Sequence, residues 1–155
     1  MGKEIEHKFL VTDDSWRQAE GRNYCQGYLS TDKERTVRVR MEENQARLTI
    51  KGITEGATRA EYEYPIPLAD ARAILDDLCL QPLIEKRRYK VNYHDMVWEI
   101  DEFTGDNAGL VVAEIELQYP EQAFDIPPWI GKEVTGDPCF YNANLVTHPY
   151  SRWKK

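Results

Sequence analysis

The sequence predicts a β-rich α+β fold, a closed eight-stranded antiparallel β-barrel or tunnel with a few flanking helices. Three observations predict it. Short segments in which polar and apolar residues alternate recur between turn signals along the 155 residues. Eight such segments can be counted, and closure of an antiparallel sheet of that size removes exposed edges. Charge is gathered on one face of seven of them, and most carry a single sign.

Taken in order, strands are expected near residues 3–11, 24–30, 35–42, 46–53, 58–66, 84–92, 96–103 and 111–118. Alternation is plainest in Val37-Arg38-Val39-Arg40 and Ala113-Glu114-Ile115-Glu116-Leu117. A short helix is expected from Asp13 to about Glu20, opened by Thr12 or Asp13 as N-cap. A second, from Pro67 to Cys79, is amphipathic, with Leu68, Ala71, Ile74, Leu75 and Leu78 on one side. Beyond residue 120 the signal weakens. Pro127-Pro128 forces an extended turn, and the remainder is expected to form helical pieces packed on a barrel end. With no linker-like stretch or internal repeat, residues 1–155 read as a single domain.

Composition narrows the function classes. A hydrophobic fraction of 41% and a charged fraction of 30% fit neither a disordered chain nor a membrane-embedded one. The apolar runs are too short to span a bilayer, and the N-terminus reads as a strand from Glu4 rather than as a secretory signal. A net charge of -7 argues against a general nucleic-acid binder. Cys25, Cys79 and Cys139 are odd in number and widely spaced, which suits reduced thiols in a cytoplasmic protein and gives no zinc pattern. A homodimer is left open.

Residues i and i+2 of a strand share a face. That rule groups Glu4, Glu6 and Lys8; Arg38 and Arg40; Thr49 and Lys51; Glu61 and Glu63; Lys86 and Arg88; Glu99 and Asp101; and Glu114 and Glu116. The plain alternative is a set of solvated outer faces. Outer faces usually mix signs, however, to favour cross-strand pairs. Two carboxylates roughly 7 Å apart repel by about 2 kcal/mol at an intermediate dielectric, so repeating that pattern asks for a compensating cation.

If the charged face lines the tunnel, the interior must be wet and hold ions. Lys8, Arg38, Arg40, Lys51, Lys86 and Arg88 could surround a polyanion. Glu4, Glu6, Glu61, Glu63, Asp101, Glu114 and Glu116 supply hard oxygen ligands suited to Mg²⁺ or Mn²⁺. Carboxylates beside a basic cradle are the equipment of phosphoryl transfer. There is no glycine-rich phosphate loop, so side chains would do the binding.

Glu4-Ile5-Glu6-His7-Lys8 resembles the N-terminal Glu-x-Glu-x-Lys signature of the CYTH superfamily, the triphosphate tunnel metalloenzymes. The resemblance covers nearly the whole chain and includes Gln26-Gly27-Tyr28-Leu29, Arg38-x-Arg40, Leu48-Thr49-Ile50-Lys51, Glu61-x-Glu63, Glu85-Lys86-x-Arg88, Trp98-Glu99-x-Asp101, Glu114-x-Glu116 and Gly131-Lys132-Glu133-Val134-Thr135. It implies a divalent metal and a small-molecule triphosphate substrate, with small bacterial inorganic triphosphatases the most similar kind. On that resemblance Glu4, Glu6, Glu114 and Glu116 hold metal and its water, and Glu61, Glu63 and Asp101 complete the acidic lining. The basic residues grip phosphate.

Two departures stand out. His7 replaces the usual Arg of the first signature, with its side chain expected outside the tunnel. Asp137-Pro138-Cys139-Phe140-Tyr141-Asn142 lacks the two cations of the family pattern Asp-Lys-Arg-Tyr-x-Asn. Tyr28 is expected to contact substrate or the attacking water, with barrel packing as the alternative. Lys132 could reach a phosphate from the tunnel mouth, or simply be exposed. Hydrolysis of inorganic triphosphate leads. Thiamine or nucleoside triphosphate hydrolysis, adenylyl cyclisation and a non-enzymatic polyphosphate sensor are the competing readings.

Overall fold

Alternation closes the sheet. The computed structural model describes residues 2–153. Its strands are β1 (Lys3–Val11), β2 (Gly21–Asp32), β3 (Arg35–Met41), β4 (Ala46–Lys51), β5 (Thr58–Ile66), β6 (Ile84–Tyr93), β7 (Met96–Phe103), β8 (Val111–Glu116) and β9 (Ile130–Glu133). They run in the order β5-β4-β3-β2-β6-β7-β8-β1-β9, and pairing of β5 with β1 closes the first eight into an antiparallel barrel. All eight expected strands are present.

The ninth strand was not expected. It has only four residues, one of them Gly131, so it offers no alternation long enough to read. It exists because one edge of β1 is shared. Lys3, Glu4 and Ile5 pair with β5, whereas Phe9 and Val11 pair with β9. Between them the Glu6 N–H donates to Ala57 O at 2.9 Å, and the Lys8 N–H donates to Thr135 Oγ1 at 2.9 Å. Each backbone donor of the bridging stretch is thus satisfied by a different segment.

The amphipathic helix forms as α1 (Leu68–Asp77), placing Ala71 and Leu75 against Val39, Ala46 and Cys79. The expected helix after Asp13 shrinks to a 3-10 turn over Ser15–Gln18, where Asp13 accepts from the Ser15 N–H at 2.9 Å. Such a side chain favours a turn over a continuing helix. The C-terminal part gives α2 (Asn142–Thr147), flanked by 3-10 turns. Its Leu145 and Val146 pack on Tyr28, Ile84, Phe103 and Val112 at one end of the barrel.

The barrel is inverted relative to an ordinary core. Its outer face carries Ile5, Phe9, Trp98, Ile100 and Ile115, covered by Trp16 and Trp129. Cover is incomplete, since Ile50, Tyr62 and Tyr64 on the same outer face remain exposed. The charged face points inward.

Candidate active site

A cavity of about 550 Å³ fills the barrel. Period-two geometry puts most of the expected residues into it from seven different strands: Glu4, Glu6 and Lys8 from β1, Tyr28 from β2, Arg38 and Arg40 from β3, Lys51 from β4, Glu61 and Glu63 from β5, Lys86 and Arg88 from β6, and Glu114 and Glu116 from β8. His7 points away, its Nδ1 lying 2.6 Å from Glu133 Oε2, as the alternation of β1 requires.

One wall is acidic. Lys51 Nζ lies 3.0 and 3.1 Å from the two Glu4 oxygens and 3.5 Å from Glu61. Burial would raise the Glu4 carboxyl, but Lys51 outweighs it and holds Glu4 down to about 2. Burial and the neighbouring Glu4 charge instead push Glu61 up to about 7. Glu6 rises well above the usual carboxylate range through burial, then through the charges of Glu114 and Glu4. Burial and Glu4 also raise Glu116. Burial and mutual repulsion, which Lys8 and Lys51 do not offset, thus favour the protonated forms of Glu6, Glu61 and Glu116.

The opposite wall is basic. Arg88 Nε and Nη2 meet the Asp101 oxygens at 2.7 and 2.8 Å, and Arg88 also reaches Glu114 at 3.2 Å and Glu99 at 3.3 Å. Arg38 touches Thr49 Oγ1 at 3.3 Å and Glu63 at 3.7 Å. Arg40 has Glu42 at 3.9 Å. The buried Nε atoms of both Arg38 and Arg40 lack a hydrogen-bond partner. Burial, then repulsion from Arg38 and Arg88, lowers the Arg40 pKa. Unpartnered guanidinium donors crowded together mark a place for an anion. Behind them, the buried Tyr24 ring stands 5.0 Å from both the Arg40 and Arg88 guanidiniums.

Two expected residues lie elsewhere. Asp101 shares the inward face, but it is 1% exposed and does not border the barrel cavity. Both of its oxygens are taken, by Arg88 and by Lys86 Nζ at 2.9 Å. The cross-strand register Arg88↔Asp101 places it on the basic wall. Lys132 is exposed on β9 and outside the cavity, which Thr135 and Gly136 line instead.

Several cavity residues were missed. Arg59 borders the cavity and donates to Gly52 O at 2.8 Å. Its signal was available, since it stands at i−2 and i−4 from Glu61 and Glu63. Asn142 and Tyr141 enter from the C-terminal segment, with Asn142 Oδ1 accepting from Lys86 at 3.0 Å. No strand period could have placed them.

Among the described residues no three carboxylates, imidazoles or thiols stand together as a ready-made metal cage. The donor set nevertheless fits a hard divalent cation. The pKa values of Glu6, Glu61 and Glu116 are raised by burial and by the neighbouring carboxylates, a penalty that a bound cation would offset. Mg²⁺ binds through one or two carboxylates, completing its shell with water and phosphate oxygens.

Fold and cavity together define a class, closed antiparallel barrels whose interior is charged and divided into an acidic and a basic wall. The chain belongs to the CYTH family, whose domain profile matches residues 2–144. It is 51% identical over 156 residues to an inorganic triphosphatase of Acetivibrio thermocellus, the match covering 100% of both chains. It is 33% identical over 147 residues to an inorganic triphosphatase of Nitrosomonas europaea, covering 92% of this chain and 96% of the other. The crystal structure of an inorganic triphosphatase superposes with a TM-score of 0.65 at 31% identity, over 92% of this chain and 96% of that one. A putative adenylate cyclase from Bacillus halodurans, 17% identical with a TM-score of 0.61 over 78% of this chain and 84% of its own, shares the fold.

Proposed function

We propose that this protein hydrolyses inorganic triphosphate to diphosphate and phosphate, with Mg²⁺ or Mn²⁺ as cofactor, and that residues 1–155 form one domain for that purpose. The observation that carries this reading is the opposition of two walls in one cavity. Arg38 and Arg40, each with a buried Nε that lacks a partner, line the same cavity as Glu6, Glu61 and Glu116, whose pKa values burial and neighbouring carboxylates raise.

Water attacks the terminal phosphorus, the bond from that phosphorus to the bridging oxygen breaks, and diphosphate leaves. Arg38, Arg40, Lys86, Arg88 and Lys51 bind and neutralise the phosphate oxygens, and Lys8 bridges the two walls, 3.5 Å from Glu114. Tyr28 touches the substrate. Glu4, Glu6, Glu61, Glu63, Glu114 and Glu116 hold the cation. When bound, the cation polarises phosphate oxygens and the attacking water. The substrate is a small molecule. Nucleic acid is not expected as a partner for a chain of net charge -7. Among the described residues no helix is long and apolar enough to cross a membrane. The free Cys25, Cys79 and Cys139 suit a cytoplasmic enzyme.

Phosphate release is measured on inorganic triphosphate, thiamine triphosphate, ATP and diphosphate with each metal. The highest kcat/KM is expected on inorganic triphosphate, and a chelator should abolish turnover. Equal or higher values on an organic triphosphate would move the assignment to that substrate. Metal affinity should strengthen as pH rises from about 6 to 8, because Glu61 releases its proton near 7 and cation ligands must be deprotonated. Calorimetric titration of metal at three pH values checks it.

Tyr24→Leu should raise KM for triphosphate several-fold, the scale of one or two cation–π contacts, while Tyr24→Phe, which keeps the ring, stays near wild type. Steady-state kinetics on both variants decide it.

A further inference from the structure

Lys86 fixes the direction of a buried hydrogen-bond chain. As an ammonium 2.9 Å from the Asp101 carboxylate, it can only donate to Asn142 Oδ1, which lies 3.0 Å away. Asn142 therefore turns its oxygen, not its NH₂, toward the barrel wall. The same oxygen is 3.0 Å from Gln26 Nε2, so Gln26 must present its NH₂ group there. Gln26 Nε2 is also 3.2 Å from Tyr28 Oη. Flipping the Gln26 amide would set its oxygen against Asn142 Oδ1, acceptor against acceptor. That explains why Oε1 stays buried without a partner despite the cost.

The consequence falls on Tyr28. Its oxygen accepts from Gln26, so the phenolic hydrogen is free to be given elsewhere. Tyr28 borders the cavity, and its cationic neighbour Lys8 offers no acceptor. Gln26 itself is 0% exposed and does not border the cavity, so it cannot touch substrate. Its influence has to pass through Tyr28.

We propose that Gln26 is a positioning residue: by donating to Tyr28 Oη it directs the phenolic hydrogen into the cavity, where it is given to a phosphate oxygen of the triphosphate. The inference rests on the triphosphatase reading and deepens it.

The test is a double-mutant cycle between Gln26 and Tyr28, read in kcat and KM for triphosphate and in the Kd for triphosphate by calorimetry. Tyr28→Phe should lower kcat/KM roughly 10- to 100-fold, the scale of one hydrogen bond to a charged group. Gln26→Glu should do about the same, because a carboxylate accepts the phenolic hydrogen and withdraws it from the cavity. Gln26→Met leaves that hydrogen free but unanchored, and should cost less. In the Tyr28→Phe background both Gln26 substitutions should change activity by no more than about 2-fold, as coupled residues do.

A purely packing role predicts the reverse order, with the isosteric Gln26→Glu the milder change. Gln26→Glu activity near wild type, or losses that multiply in the double variants, overturns the proposal. Should Gln26→Glu fail to fold by thermal melting, the Gln26→Met cycle decides alone: a loss that disappears in the Tyr28→Phe background supports the proposal, and a loss of equal size with and without the Tyr28 hydroxyl overturns it. Wild-type protein that releases no phosphate from triphosphate would sink the functional reading instead, and the cycle in Kd would still decide the role of Gln26.

Discussion

Asp101→Asn is expected to melt about 10 °C below wild type in the presence of a chelator, and to lose about two orders of magnitude in kcat/KM. The carboxylate is fully enclosed and offsets two buried cations, Arg88 at 2.7 and 2.8 Å and Lys86 at 2.9 Å. Burial alone would raise its pKa, yet Arg88 and Lys86 outweigh burial and hold it well below the usual carboxylate range. Removing one partner of such a group leaves uncompensated charge in the interior, worth about 3–5 kcal/mol. At this chain length each kcal/mol shifts the melting midpoint by roughly 2–4 °C.

The sign against pH follows from the depressed pKa. Stability contributed by Asp101 is present above the unfolded carboxylate value and is lost only as pH falls below it. The gap between wild type and variant should therefore hold from about pH 5 to pH 8 and close in acid. Activity falls because Arg88 loses its bidentate anchor, and a misplaced clamp costs heavily in phosphoryl transfer. A metal-binding Asp101 predicts the opposite in the chelator. Removing a carboxylate from an acidic cluster would leave the metal-free protein as stable or more so. Thermal melts in chelator, with and without triphosphate, distinguish the two.

Asp101 also shows where the sequence stops being legible. The i, i+2 rule correctly put it on the inward face with Glu99, as it did Glu4, Glu6, Arg38, Arg40, Glu61 and Glu63. The rule reports a face and is silent on partners. What separates Asp101 from Glu114, also inward and buried, is which strand pairs beside it and in what register. Arg59 is the converse case, placed by the same period on the face of Glu61 but opposite in sign to the two carboxylates that follow it, so it breaks the single-sign stripe. Gln26 shares the inward face of Tyr28 by the same period but carries no charge to mark it. Asn142 lay beyond any period, arriving from a segment whose Pro127-Pro128 and short helical pieces erase alternation. β9 was hidden for the same reason. The barrel was legible because closure depends on many weak alternations agreeing, whereas a contact between distant segments depends on one.

Glu6→Gln should separate stability from function in opposite directions. In chelator the variant is expected to melt several degrees above wild type at pH 8, with the difference fading toward pH 4.5. Burial comes first among the causes that push the Glu6 pKa well above the carboxylate range, followed by the charges of Glu114 and Glu4, against which Lys8 and Lys51 are insufficient. A group whose folded pKa is raised binds its proton more tightly in the folded than in the unfolded chain. Wild-type stability therefore falls as pH climbs above the unfolded value, and Gln, which never ionises, is spared that loss. With metal present the order reverses. The carboxylate that was a liability becomes a ligand for the cation, so the metal-induced rise in melting temperature should shrink in the variant. Turnover should fall roughly 10²- to 10³-fold, as expected when several kcal/mol of transition-state charge stabilisation is lost. A variant no more stable than wild type in chelator at pH 8 would mean that Lys8 and Lys51 already neutralise the acidic wall. A variant with wild-type kcat would remove Glu6 from the cation site. Both outcomes together would return the Glu4-Ile5-Glu6-His7-Lys8 strand to an ordinary polar lining. The expected pair, higher apo stability with lower activity, is the signature of repulsion kept in the folded chain because a bound cation relieves it.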